Sequence, residues 1–159
     1  MTEKEFKINF VEYASLDELN AEDRELATEA IAAMNNAYAP YSHFHVGAAV
    51  RMSNGQIVRG SNQENAAFPS SLCAERTAMF AAAAKYPDKD MRSIAVAGGV
   101  YGKLANQPVT PCGACRQVMA EWELRYGQKM VVLCYLGEGQ IRRIEGVDKL
   151  LPFGFEAEL

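Results

Sequence analysis

Two cysteine motifs, far apart in the chain, constrain the fold most: Cys73-Ala74-Glu75-Arg76 and Pro111-Cys112-Gly113-Ala114-Cys115-Arg116. Each stands at the start of a predicted helix. The first helix runs through an alanine-rich stretch to Lys85, and the second ends before Gly127. Proline at position 111 suits a first helical turn. A helix start presents unpaired amide N–H groups and the positive end of the helix dipole. That setting lowers a cysteine pKa and favours the thiolate, the form that binds metals. Cys112 and Cys115 are spaced to face one point from a single turn. With Cys73 from the other helix they make three soft ligands, the pattern of a catalytic zinc whose fourth position is left to water. If all three hold one ion, the two helix starts must meet.

A Cys-x-x-Cys pair alone is equally a redox dithiol, half of a structural zinc site or two core cysteines. Cys73 and Glu75 at a second helix start favour catalytic zinc. Glu75, two residues past its ligand, can take a proton from a zinc-acidified water and return it to a substrate. Three thiolates around Zn²⁺ leave a net negative charge, which opposes that acidification. Arg76 is suited to hydrogen-bond the ligand sulfurs and offset it.

The remaining composition narrows the function classes. The chain has 159 residues, 49% of them apolar, which fits a single domain with a substantial core. Net charge is −4, and no basic block exceeds Arg142-Arg143, so a small-molecule substrate is expected rather than nucleic acid. The start of the chain is polar and lacks an apolar signal region, and no apolar run reaches the roughly 20 residues of a membrane span. The expectation is a soluble cytoplasmic protein with no membrane partner. In such a compartment thiols stay reduced, and four cysteines point to metal or catalysis before disulfides.

The periodicity predicts a helix over 20–39, with Asn20 as its cap and Ala39-Pro40 as its stop. Strands follow over 44–52 and 56–61, joined by the turn Ser53-Asn54-Gly55. Further strands are predicted over 93–100, 130–136 and 140–145, the second of these apolar enough for burial on both faces. Residues 7–13 alternate loosely and are a candidate extra strand. The order α-β-β-α-β-α-β-β implies an α/β architecture, one mixed sheet flanked by helices. Cys134 reads as a buried small hydrophobe rather than a fourth ligand. His43 and His45 flank Phe44 on the opposite strand face and read as non-ligands.

The two cysteine motifs, read with Tyr38-Ala39-Pro40-Tyr41-Ser42-His43-Phe44-His45-Val46-Gly47 and Asn62-Gln63-Glu64-Asn65-Ala66-Ala67, resemble the short zinc-dependent cytidine deaminase family. The resemblance spans roughly 20–155 and leaves 1–19 as an N-terminal extension. It implies a three-layer α-β-α fold with a mixed five-stranded sheet. It implies hydrolytic deamination of cytidine and deoxycytidine in pyrimidine salvage, with Zn²⁺ as cofactor, in a homotetramer. By match, Cys73, Cys112 and Cys115 hold zinc and Glu75 moves protons. Phe44 packs on the pyrimidine, the Ala74 backbone contacts the base, and Asn62 and Glu64 bind the ribose 3′-hydroxyl. Phe155 matches an aromatic residue lent to a neighbouring subunit's site, with Phe153 as the other aromatic of the tail. Phe68 stands where some relatives have tyrosine. Two other readings compete: deamination of another cytosine compound such as blasticidin S, and a structural zinc module. The latter needs a fourth ligand, from Cys134 or His45, and leaves Glu75 without a role.

Overall fold

The computed structural model describes residues 1–156. Asn20 caps helix α1, Ala21–Ala33: its side-chain oxygen accepts from the Asp23 N–H at 2.9 Å. This satisfies one orphan donor of the first turn. The helix ends earlier than the proline suggests, passing through a 3-10 turn at Met34–Asn36. The backbone of Tyr38 is taken up elsewhere. Its N–H donates to Asn62 O at 3.0 Å, and its carbonyl accepts from Glu64 N–H at 2.8 Å. These bonds to the 62–64 segment require an extended Tyr38 and replace the last expected helical turn.

Strands β2 (Phe44–Met52) and β3 (Ile57–Ser61) form a hairpin whose turn places Gly55 at φ +82°. Helix α2 (Ala74–Lys85) leads to β4 (Met91–Val100), and α3 (Gly113–Tyr126) connects β4 to β5 (Val131–Gly137). Strand β6 (Gln140–Glu145) turns back antiparallel to β5. The sheet has six strands, not the expected five, because Val11–Tyr13 of the N-terminal extension adds a strand β1 beside β6. An ion pair between Arg142 and Glu12 at 2.6 Å, with Arg142 over the Phe10 ring, accompanies that pairing. Among the described residues the strand order is β1-β6-β5-β4-β2-β3, and only β4 and β5 run parallel. A parallel pair needs a crossover, and α3 supplies it.

Side chains alternate across the sheet with the period of two that strand geometry dictates. Ala48, Val50, Ile94, Val96, Val132 and Cys134 face α2 and α3, whereas Ala49, Ala95, Ala97 and Leu133 face α1. The result is three layers, with both motif-bearing helices on one face. Glycines set how closely the helices approach. A Cβ at Gly47 would lie 2.1 Å from Ala30 O of α1, and one at Gly60 would lie 2.3 Å from Ala78 N of α2. These obstacles are helix backbone, which cannot rotate away as a side chain can.

Gly60→Ala should therefore lift α2 from β3 and destabilise the protein at or above the upper end of the roughly 1–3 kcal/mol typical of overpacking. Chemical denaturation should show a lowered midpoint. An unchanged midpoint would mean that α2 tolerates displacement and that its docking on Gly60 is not a constraint.

Candidate active site

The two helix starts are built alike. Cys73 and Cys112 are the N-cap residues of α2 and α3, with φ, ψ of −68°, 152° and −68°, 168°. Extended backbone is the usual geometry of a cap residue, and neither sulfur accepts a capping hydrogen bond from its own helix. Cys115 lies in the first turn of α3, fully buried. The Sγ atoms of Cys73 and Cys112 are 3.7 Å apart, those of Cys112 and Cys115 3.5 Å, and all three lie within 4.8 Å of one another. A tetrahedral ion with Zn–S bonds of about 2.3 Å sets its sulfurs about 3.8 Å apart. The Cys73–Cys112 and Cys112–Cys115 separations match that spacing, and the three sulfurs together could hold one ion. Among the described residues no further His, Cys, Asp or Glu atom joins the group.

The sulfurs share protons unequally. The Cys115 thiol donates a hydrogen bond to Cys73 and, against the opposing effect of burial, holds its pKa down to about 5. The Arg76 guanidinium, with Nη2 3.6 Å from Cys73 Sγ, acts in the same direction. The same sulfur–sulfur bond pushes the Cys115 pKa up, and burial adds to it. Cys134, on β5 beneath the cluster, is fully buried, and burial pushes its thiol up to about 12. It stays outside the sulfur group.

A cavity of about 570 Å³ opens in front of the sulfurs. Its lining includes Phe44, Asn62, Glu64, Ala74, Glu75 and Phe68, together with Val109 and Thr110 from the segment before α3. Glu75, only 4% exposed, faces it from the first turn of α2. Burial pushes its pKa up to about 7, and the negative charge on Cys73 adds to the rise. A carboxyl group near neutrality is suited to carrying protons in both directions. A cavity of similar size, about 580 Å³, lies beside the C-terminal half of α3 near Phe6 and Phe153, but the sulfurs and Glu75 are not part of it.

The family model for the cytidine and deoxycytidylate deaminase zinc-binding region matches residues 20–134. The chain belongs to this family. It is 45% identical to a cytidine deaminase of Halalkalibacterium halodurans over 145 residues, covering 86% of this chain and 96% of the relative. A cytidine deaminase of Sporosarcina psychrophila is 42% identical over 134 residues, covering 84% and 91%. The crystal structure of a Burkholderia pseudomallei cytidine deaminase superposes with a TM-score of 0.71 at 39% identity, covering 82% of this chain and 97% of that one. The cofactor of the family region is zinc, and the three-cysteine cluster is the group here that could hold it. The first 19 residues, β1 among them, lie outside the matched region.

Within this deaminase fold the sequence-selected residues take up distinct positions. Asn62 reaches back to β2: Oδ1 accepts from Val46 N–H at 2.8 Å and Nδ2 donates to Phe44 O at 2.8 Å. It braces the strand that carries Phe44 while also lining the cavity. The Glu64 carboxylate accepts from Tyr41 N–H at 2.9 Å, Ser42 N–H at 3.3 Å and the Ser42 hydroxyl. These bonds, the Ser42 hydroxyl foremost, hold its pKa below the usual carboxylate range. Phe44 lies beside Gly98, where a Cβ would meet its ring at 3.1 Å. His43 stacks on Tyr101, away from the sulfur group. Phe155 is 77% exposed and does not line this cavity, and Phe153 is 98% exposed. Sequence reasoning gave Ser42 no part, although it bonds both Glu64 and the Phe44 N–H. The signal was its place in the Tyr41-Ser42-His43-Phe44 motif.

Purified protein should contain about one zinc per chain. Cys112→Ala should lose it, while Cys134→Ser should keep it, as measured by metal analysis after dialysis. Zinc retained by Cys112→Ala, or lost by Cys134→Ser, would show that the ligand set is different.

Proposed function

We propose that this protein hydrolyses cytidine and deoxycytidine to uridine and deoxyuridine, releasing ammonia, and that it serves pyrimidine salvage in the cytoplasm. The observation that carries this reading is the buried Glu75 beside an open three-sulfur cluster at the back of a nucleoside-sized cavity. A closed structural zinc site has four protein ligands and no use for a buried acid. Here Cys134 and His45 both stand outside the sulfur group.

Zinc held by Cys73, Cys112 and Cys115 supplies a Lewis acid that brings the pKa of a water towards neutrality. Glu75 accepts a proton from the attacking water and delivers one to ring N3. Protonation at N3 makes C4 electrophilic, and the water oxygen adds there. Glu75 then takes the remaining proton from the added C4 hydroxyl and passes it to the exocyclic amine; C4=O forms as the C4–N bond breaks, ammonia leaves, and N3 keeps its proton. Phe44 packs on the pyrimidine face, and the backbone at Ala74 contacts the base edge. Arg76 offsets the negative charge of the ligand sulfurs.

Asn62 and Glu64 bind the ribose 3′-hydroxyl. Their existing bonds to β2 and to the 41–42 segment hold both side chains in place before substrate arrives. Each retains hydrogen-bonding capacity: a carboxylate has about four lone-pair sites and an amide nitrogen two protons. The assembly is a homotetramer in which exposed Phe155 reaches a neighbouring subunit's site. Its 77% exposure supports that role, since a large aromatic side chain so exposed gains by burial against another chain. No helix among the described residues is long and apolar enough to cross a membrane.

Glu75→Gln should keep zinc and fold but lose activity at or beyond the upper end of the roughly 10²–10⁴-fold typical for a general acid–base. Loss of cytidine absorbance measures this, and near-normal turnover would show that another group moves the protons. Cytidine and deoxycytidine should both react, with free cytosine and 2′,3′-dideoxycytidine much poorer, because polar groups built for a hydroxyl are left unpaired without it. Glu64→Ala should narrow that gap in kcat/KM. Dideoxycytidine reacting as well as deoxycytidine on the wild type would rule out the ribose role of Asn62 and Glu64.

A further inference from the structure

Arg116 follows the ligand Cys115 in the first turn of α3. Its Nε donates to Pro111 O at 2.8 Å, and its Nη1 donates to Leu150 O at 2.8 Å. It makes no ion pair among the described residues. A cation in a first turn opposes the helix dipole, so helix stability does not explain it. The two carbonyls do. Proline has no N–H, so the carbonyl of Pro111 is the one backbone group through which that residue can be held. Leu150 ends the 3-10 turn Val147–Lys149, where carbonyls lack helical partners and a cation is favourable. The guanidinium is a rigid planar fork, so bonding both carbonyls fixes one relative to the other. The neighbouring Gln117 extends the tie, donating to Phe155 O at 2.7 Å.

We propose that Arg116 is a positioning residue for zinc: it clasps the turn entering Cys112 to the C-terminal segment after β6, and this clasp holds Cys112 and Cys115 at ligand spacing. Arg76 and Arg116 then divide the work. Arg76 touches a ligand sulfur, whereas Arg116 acts only through backbone. The C-terminal segment becomes a support of the metal site from outside the region that carries the ligands.

The test uses zinc-loaded full-length protein and the variants Arg116→Gln, Arg116→Lys and Trp122→Phe. Zinc transfer to a chromogenic chelator is timed, and the thiolate-to-metal charge-transfer band is recorded after cobalt substitution. Arg116→Gln should release zinc about 10–100-fold faster, the range for partners that orient ligands, and should shift the cobalt band. Arg116→Lys keeps the charge but not the fork, and should fall between Arg116→Gln and the wild type. Trp122→Phe loosens the packing of α3 away from the sulfurs and should release zinc at the wild-type rate. Equal release by wild type and Arg116→Gln with an unchanged band overturns the proposal, and so does Trp122→Phe releasing as fast as Arg116→Gln. If Arg116→Gln does not fold, Arg116→Lys decides by the same criterion. The inference rests on the cluster being a zinc site. A wild type that binds no zinc would end that reading as well, whereas equal retention by every variant would end only this one.

Discussion

The site depends on the meeting of two helix N-termini at one point, and the sheet is arranged to allow it. Helices α2 and α3 lie on the same face, α2 seated on Gly60 and α3 carried across by the parallel β4–β5 crossover. Each helix ends in a cysteine N-cap with extended backbone. Two positive dipole ends facing each other are unfavourable alone. Thiolates between them turn that repulsion into attraction, because each sulfur sits where helix amides favour negative charge. The fold and the metal thus stabilise one another, and zinc affinity becomes part of folding free energy.

The same convergence sets the chemistry. A residue two past an N-cap is still in the first turn, so Glu75 is buried at the cavity wall rather than displayed on the helix surface. Burial raises its pKa towards 7, and the adjacent thiolate reinforces this. The opposite side of the cavity comes from the other half of the fold. The β2–β3 hairpin brings Phe44 and Asn62, and bonds between the 38–42 segment and the 62–64 segment place Glu64. One helix layer thus holds Glu75 and the three sulfurs, while the hairpin shapes the cavity in front of them.

Much of this was legible in the residues. Strong local signals marked the Asn20 cap, the Gly55 turn, the two cysteine-led helices and the alternating strands, and each element lies close to its expected place. What escaped was non-local. The end of α1 is set by Tyr38 pairing with a segment more than twenty positions on, which no local propensity reports. The sixth strand depends on β6 offering an edge to residues from the far end of the chain. The bonds from Asn62 to the β2 backbone, and from Arg116 to Pro111 and Leu150, join side chains to carbonyls and amides, which every sequence position carries alike.

The proposed chemistry requires three sulfurs to bind one zinc and leave a fourth position open beside Glu75. X-ray absorption at the zinc edge of the purified protein tests it most directly. Three sulfurs at about 2.3 Å and one oxygen or nitrogen neighbour are expected. Four sulfurs, which would require Cys134 to leave the core, or a shell without sulfur, would contradict it.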